Sequence, residues 1–257
     1  MATHISRHLY AKGHQITCIW SRTPEHAGKL AEEFGTKGTS DHGEVPMGAD
    51  FYIISLPDKA IPGVAAIHRG SGGIWIHNAG AVSRDIFEGY FREYGVIYPL
   101  QTLSSGREVS LGEIPFLVEG SSQQVTEKVR SLARSFSGTV FEMDSQQRLV
   151  VHLAAVFANN FSNHMVTIAQ QILKEQDADP SLLSPILKET FSKLDEMGPE
   201  RAQTGPALRS DTDTMEKHLE LLKGHPEWEN LYTFVSRDIE ASREKPMKDR
   251  PKGDDQL

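Results

Sequence analysis

The chain of 257 residues has a single cysteine, Cys18, so no disulfide can form within it. The setting of that thiol in the apolar run Ile16-Thr17-Cys18-Ile19-Trp20 reads as a buried strand residue in a reducing compartment, which makes the cytoplasm the expected location. Long apolar runs are missing too. The longest stretch, Leu149 to Phe161, is interrupted by His152, Asn159 and Asn160 and falls short of a membrane span, and no basic start followed by an apolar segment marks a signal peptide. Basic clusters are equally scarce. The formal charge is −8, whereas a protein that grips a phosphate backbone needs a basic face, so neither nucleic acid nor membrane is expected as a partner. With 38% hydrophobic and 24% charged residues the composition is that of a globular protein, long enough for two domains with separate cores.

The hydrophobic periodicity divides the chain in two. Ile5 and Leu9 stand at helical spacing before a stop at Gly13, and a strand from Gln15 to Ser21 follows. Thr23 and Pro24 then predict the cap and first turn of a helix with Ala27, Leu30, Ala31 and Phe34 on its inner face, closed by Gly35. Beyond a loop containing Gly38, Gly43 and Pro46, strands are expected at Phe51 to Leu56, Ile74 to His77, Gly95 to Tyr98, Phe116 to Glu119 and Thr139 to Glu142. A short helix capped by Asp58 follows the first of these, and a helix from Gln123 to Phe136 separates the last two. Such alternation implies an α/β fold with a mostly parallel sheet covered on both faces.

From Asp144 onward no strand pattern survives. Asp144 and Gln147 form a capping-box signature, and the helix they open is apolar nearly all round, as expected at a domain or subunit interface. Helices are predicted over Pro180 to Met197, Thr214 to Lys223, the latter capped by Asp213 and Glu216, and Trp228 to Arg243. The expected organisation is a Rossmann-like domain over 1–143, an all-α domain over 144–244 and a disordered tail over 245–257.

A Rossmann unit begins with a strand whose glycine loop leads into the first helix, and that helix aims its N-terminus at the pyrophosphate of a dinucleotide. This chain opens inside the helix, with Ala2 and His4 in its first turn. The reading is a shortened N-terminus that lacks the central strand and leaves two inner sheet edges unpaired.

Ser21, Arg22 and Thr23 stand at the end of the second strand position, where NAD enzymes present a carboxylate to the ribose 2′-hydroxyl. Two hydroxyls and a guanidinium suit the 2′-phosphate of NADP instead. Ser55, Leu56 and Pro57 follow the next strand, and His77, Asn78, Ala79 and Gly80 the one after, both loops facing the nicotinamide side. Gly80 is expected to permit close approach of the cofactor. His77 is read equally as a substrate contact or as a strand-end histidine bonded to backbone. On the long helix, His152, Asn159 and Asn163 fall near one face and are expected to line a cleft or form a buried network. Arg209 stands either as a clamp for a substrate carboxylate or as a partner of Asp211. His4 and His8 sit one turn apart without a third ligand nearby, so no metal is expected.

Three groups of residues carry a resemblance that spans nearly the whole chain. They are Ala2-Thr3-His4-Ile5 with Gly13-His14 and Trp20-Ser21-Arg22-Thr23-Pro24-Glu25, then Tyr98-Pro99-Leu100-Gln101-Thr102, and then the run from His152 to Asn160 with that from Thr204 to Asp211. Together they resemble Rossmann-like proteins whose helical half is the domain of unknown function 2520, a family similar to pyrroline-5-carboxylate reductases and deazaflavin-dependent NADP oxidoreductases. The resemblance implies NADP as cofactor and a homodimer formed through the helical domain. It also places Met1 and Ala2 at the end of the glycine loop, with both loop glycines upstream. Related hydroxyacid dehydrogenases use a lysine four residues before an asparagine on the equivalent helix; here Ala155 stands in its place, so that proton donor does not carry over.

The combined reading is an NADP-dependent reductase of a small keto or imino acid, with His77, Asn159 and Arg209 as the catalytic candidates. Ala2, His4, Ser21, Arg22, Thr23, Ser55, Leu56, Pro57 and Gly80 are the expected cofactor contacts. The alternatives are a non-catalytic NADP-binding or regulatory protein, favoured by Ala155, and a helical interaction module with a degenerate sheet.

Overall fold

A computed structural model describes residues 1–103 and 109–243; the expected disordered tail from Lys245 lies outside them. Two compact units divide the chain, Met1–Phe161 and the part from Ser162 onward.

The first unit opens with helix α1 (Ala2–Ala11), closed by Gly13 at φ +85°. Strand β1 (Cys18–Trp20), helix α2 (Pro24–Glu32) and strand β2 (Lys37–Thr39) follow. β1 and β2 pair in parallel as a two-stranded sheet. β2 falls where the sequence pattern predicts only a loop. Its Gly38 is required by packing, because a Cβ there would lie 2.7 Å from the backbone of Ala27 in α2. Thr23 occupies the N-cap position of α2 but its side chain makes no capping bond; Pro24 at the first helical position sets the turn instead.

A second sheet has the order β3–β4–β5–β6–β7, formed by Phe51–Ile54, Ile74–His77, Glu93–Pro99, Phe116–Gly120 and Val140–Glu142. All its pairs are parallel except β5 with β6. Alternation along the strands sorts side chains to two layers. Ile74 and Ile76 face α1 and helix α4 (Gln123–Arg134) in one core cluster. Trp75 faces helix α3 (Ile61–Ile67), Phe87 and Phe91 in the other.

The two inner edges expected from the sequence are present. Among the described residues β1 is bonded only to β2, and β3 only to β4. Cavities of about 200 and 400 Å³ lie beside them, both lined by Ala2, Cys18, Ile19, Phe51, Ile53 and Ser55. Side chains bridge the two sheets. Trp20 stacks on His42 at 4.2 Å between ring centres, and His42 Nδ1 lies 3.1 Å from His68 Nε2.

Helix α5 (Ser145–Ala155) starts at the predicted capping box: the Asp144 carboxylate accepts from the Gln147 amide, and the Gln147 side chain accepts from the Asp144 amide. It continues through a π-helical segment, Val156–Phe161, into helix α6 (Ser162–Glu175). Leu149, Val150 and Leu153 of α5 and Phe157 and Phe161 of the π-helical segment are exposed.

The second unit continues with α7 (Ser184–Met197), the short α8 (Pro199–Ala202) and α9 (Pro206–Arg209), α10 (Thr212–Leu221) and α11 (Pro226–Arg243). The cap of α10 is Asp211, which accepts from the amide and hydroxyl of Thr214. The predicted capping pair Asp213 and Glu216 therefore falls inside the helix, Asp213 being two residues past the cap. No helix among the described residues is long and apolar enough to cross a membrane.

Candidate functional site

Parallel strands deliver their loops to one edge, and at the carboxyl ends of β3, β4 and β5 polar side chains form a connected row. Ser55, just past β3, donates from Oγ to Asn78 Oδ1 at 2.5 Å. Asn78, just past β4, donates from Nδ2 to the carbonyl of Ile97 in β5 at 2.7 Å. One residue further along β5, the Tyr98 hydroxyl lies 3.0 Å from Nδ1 of His152 on α5.

A buried ion-pair network underpins this edge. The Arg148 side chain is completely buried and donates to Glu119 Oε2 at 2.6 Å and to the carbonyl of Val82 at 2.6 Å. Ser145 donates to the same carboxylate oxygen at 2.7 Å. Arg84 approaches its other oxygen at 3.4 Å and donates to the carbonyl of Gly120. Arg148 and His152 are four residues apart and share a face of α5, so the network that seats Arg148 on β6 also seats His152 at β5. Neither Arg148 nor Glu119 is visible as a site residue in the sequence, because their partnership spans 29 positions.

His77 is not open to a substrate. It is fully buried, its Nδ1 accepts from the Ala79 amide at 3.2 Å, and its Nε2 faces the Ser83 carbonyl at 3.4 Å. Burial, aided by the positive charge of Arg148, lowers its pKa to about 4, so it stays neutral and holds the loop after β4. Of its two readings, the backbone-bonded histidine is the one observed. Gly80 lies against two side chains. A Cβ there would lie 2.7 Å from His152 Nδ1 and 2.9 Å from the Tyr98 ring; the bare backbone makes room for that pair.

Asn159 is exposed within the π-helical segment. The wider π turn removes the seven-residue register that grouped it with His152, and the expected polar stripe dissolves: Asn159 and Asn163 are exposed while His152 is half-buried. Arg209, at the end of α9 in the second unit, is exposed; its charge helps lower the Asp211 pKa, but the hydrogen bonds from Thr214 act more strongly.

The residues expected to hold a dinucleotide lie at the N-terminus of α1 and just past the carboxyl ends of β1, β3 and β4. Arg22 is exposed just beyond the carboxyl end of β1 and makes no ion pair among the described residues, and Ser21 Oγ accepts from the Thr23 amide at 3.3 Å. This donor set suits a phosphate. α1 has no side-chain cap and no acid in its first turn, which leaves its amides for an anion. Ala2 there is exposed, whereas His4 is buried beneath it. Ser55 and Leu56 are half-buried and Pro57 exposed past β3. The set fits NADP.

Comparison with known proteins gives the same answer. Residues 1–72 match the family model described as NADP oxidoreductase, coenzyme F420-dependent, and residues 114–239 match a domain of unknown function, DUF2520. The solved structure of BF3122 from Bacteroides fragilis, assigned as an NADP oxidoreductase, is 39% identical, the match covering 93% of this chain and 94% of that one, with a TM-score of 0.86. The chain belongs to this NADP oxidoreductase family. Protein TM1727 from Thermotoga maritima shares the fold at 23% identity, 94% and 96% coverage and a TM-score of 0.75. So does a reductive aminase from Aspergillus terreus, solved with NADPH and ethyl-5-oxohexanoate, at 14% identity, 93% and 91% coverage and a TM-score of 0.67. No curated protein matches the chain. NADP is the family's cofactor, and the fold is the mostly parallel α/β sheet followed by helices that the sequence implies.

Proposed function

We propose that the protein reduces a small keto or imino acid with NADPH, in the cytoplasm and as a homodimer. The observation that carries the reading is the exposed, unpaired Arg22 between Ser21 and Thr23, in a unit whose β3, β4 and β5 end in a connected polar row. When bound, NADPH supplies the hydride. The chain's own groups bind and orient: Ser21, Arg22 and Thr23 hold the 2′-phosphate, the amides of the first turn of α1 at Ala2 face the pyrophosphate, and Ser55, Leu56 and Pro57 border the dinucleotide. In the first unit Asn159 is exposed and available to a polar group of a substrate; in the second, Arg209 is exposed and suits a carboxylate. A keto compound in the site of a fold neighbour and the lone thiol Cys18 support substrate class and compartment. The exposed apolar residues Leu149, Val150, Leu153, Phe157 and Phe161 support subunit pairing, since a patch of this kind marks an interface.

The test pairs NADPH consumption over a panel of keto and imino acids with binding of both coenzymes to Arg22→Glu. A charge-assisted bond contributes roughly 1.5–3 kcal/mol, so the variant is expected to lose about 10- to 100-fold in NADPH affinity with NADH affinity unchanged. Unaltered preference removes the cofactor assignment of this loop. NADPH binding without consumption of any panel member makes the protein a non-catalytic NADP binder.

A further inference from the structure

Reduction of a C=O or C=N group needs a proton as well as a hydride, and none of the three catalytic candidates can give one: His77 is enclosed and neutral, while amide and guanidinium groups do not release protons near neutral pH. The Tyr98–His152 pair can. Its hydroxyl and Nδ1 are 3.0 Å apart, and the rings meet edge to face at 79° with centres 5.7 Å apart. Both side chains are half-buried, hence reachable. Three independent features hold the pair in place. Gly80 leaves the space its rings occupy, Asn78 ties the loop after β4 to the residue preceding Tyr98, and Arg148 locks α5 one turn before His152. Burial raises the Tyr98 pKa above that of an ordinary phenol, so its proton is retained until a stronger base meets it.

We infer that Tyr98 is the proton donor of the reduction and that His152 resupplies it. This assignment rests on the reductase reading above. As the substrate carbon gains a hydride, the π electron pair of the C=O or C=N bond moves to the heteroatom. That atom forms a bond to the Tyr98 proton while the phenol O–H bond breaks. The phenolate then takes the Nδ1 proton of His152 while the other ring nitrogen gains one from solvent, so the imidazole passes on one proton and keeps its charge. One hydride and one proton are added to the substrate, and both side chains return to their starting state.

The test has two arms. In the first, the protein is prepared with ring-protonated tyrosine in an otherwise deuterated background and saturated with NADP⁺, and nuclear Overhauser effects are sought between the nicotinamide ring protons and Tyr98, identified by its loss in Tyr98→Phe. A cross-peak is expected; its absence overturns the assignment whatever the activity. In the second, turnover is compared for variants whose folding is checked by circular dichroism. Tyr98→Phe, which removes one oxygen, is expected to lower kcat by about 10²- to 10⁴-fold, the range for a general acid, with KM for NADPH unchanged, as for a group that acts only in the transition state. His152→Ala is expected to lose kcat and to recover part of it with added imidazole, which a purely structural histidine would not. Full kcat in Tyr98→Phe overturns the donor role. A cross-peak in a protein that turns over no panel substrate sinks the reductase reading and the donor role with it, while the placement of the phenol beside the nicotinamide stands.

Discussion

Glu119→Ala offers a demanding check on the energetics of the site. Arg148 is completely buried and Glu119 nearly so. Deleting the carboxylate leaves a guanidinium in the interior with only the Val82 carbonyl and the Ser145 hydroxyl to accept from it. Breaking a buried pair from one side costs about 3–5 kcal/mol. The converse change, Arg148→Met, leaves Glu119 with the Ser145 hydroxyl and with Arg84, which stands 3.4 Å away and is about a third exposed, able to adjust. Its cost is therefore smaller, roughly 1.5–3 kcal/mol, the range for a lost hydrogen bond to a charged group. The double variant Glu119→Leu with Arg148→Met removes both charges and is expected near the wild type. Thermal unfolding followed by circular dichroism reads these differences, at about 2–4 °C per kcal/mol for a chain of this size. Glu119→Ala should then melt roughly 6–20 °C lower than wild type. The reasoning fails if Arg148→Met is the more damaging change, or if both single variants stay within about 1 kcal/mol of wild type, the cost of a surface pair.

Two other outcomes follow from the same edge. His77 has a folded pKa of about 4 against about 6.5 when unfolded, so the unfolded chain binds the extra proton between these values. Stability is fully present above about pH 6.5 and falls by roughly 3 kcal/mol as the pH drops toward 4; urea titrations should show this slope in the wild type and a shallower one in His77→Asn. Gly80→Ala drives a methyl group into Tyr98 and His152; overpacking of this kind costs about 1–3 kcal/mol, and nuclear magnetic resonance should show the His152 ring signals displaced, whereas Gly63→Ala in α3, where a Cβ meets nothing, should leave them unmoved.

Much of the fold was legible because it follows local rules. Alternating and continuous apolar runs located β3, β4, β5, β6 and β7, and Asp144 with Gln147 marked the start of α5. β2 was not legible: Lys37-Gly38-Thr39 has the composition of a loop, and only the close approach of α2 explains its glycine. The cap of α10 was misplaced because Asp211 and Asp213 are interchangeable as sequence signals and differ only in which one meets the Thr214 amide. In the candidate site, the place of Ser21-Arg22-Thr23 at the end of a strand could be read from position alone. The neighbours of His77 and Gly80 were not legible, since complete burial and a ring packed over a glycine are facts of tertiary structure. Tyr98 and His152 were each within noted motifs, but nothing in sequence announces that positions 98 and 152 touch. Asn159 was grouped with His152 by a helical period that the π segment does not obey.

The buried guanidinium of Arg148 has a dynamic consequence. It is bonded at once to β6 through Glu119 and to the loop after β4 through the Val82 carbonyl, so helix, strand and loop can part company only by abandoning a charge in the interior. Amides of Arg148 to His152 should accordingly exchange with solvent at a higher free-energy cost than those of α10, none of whose residues is buried.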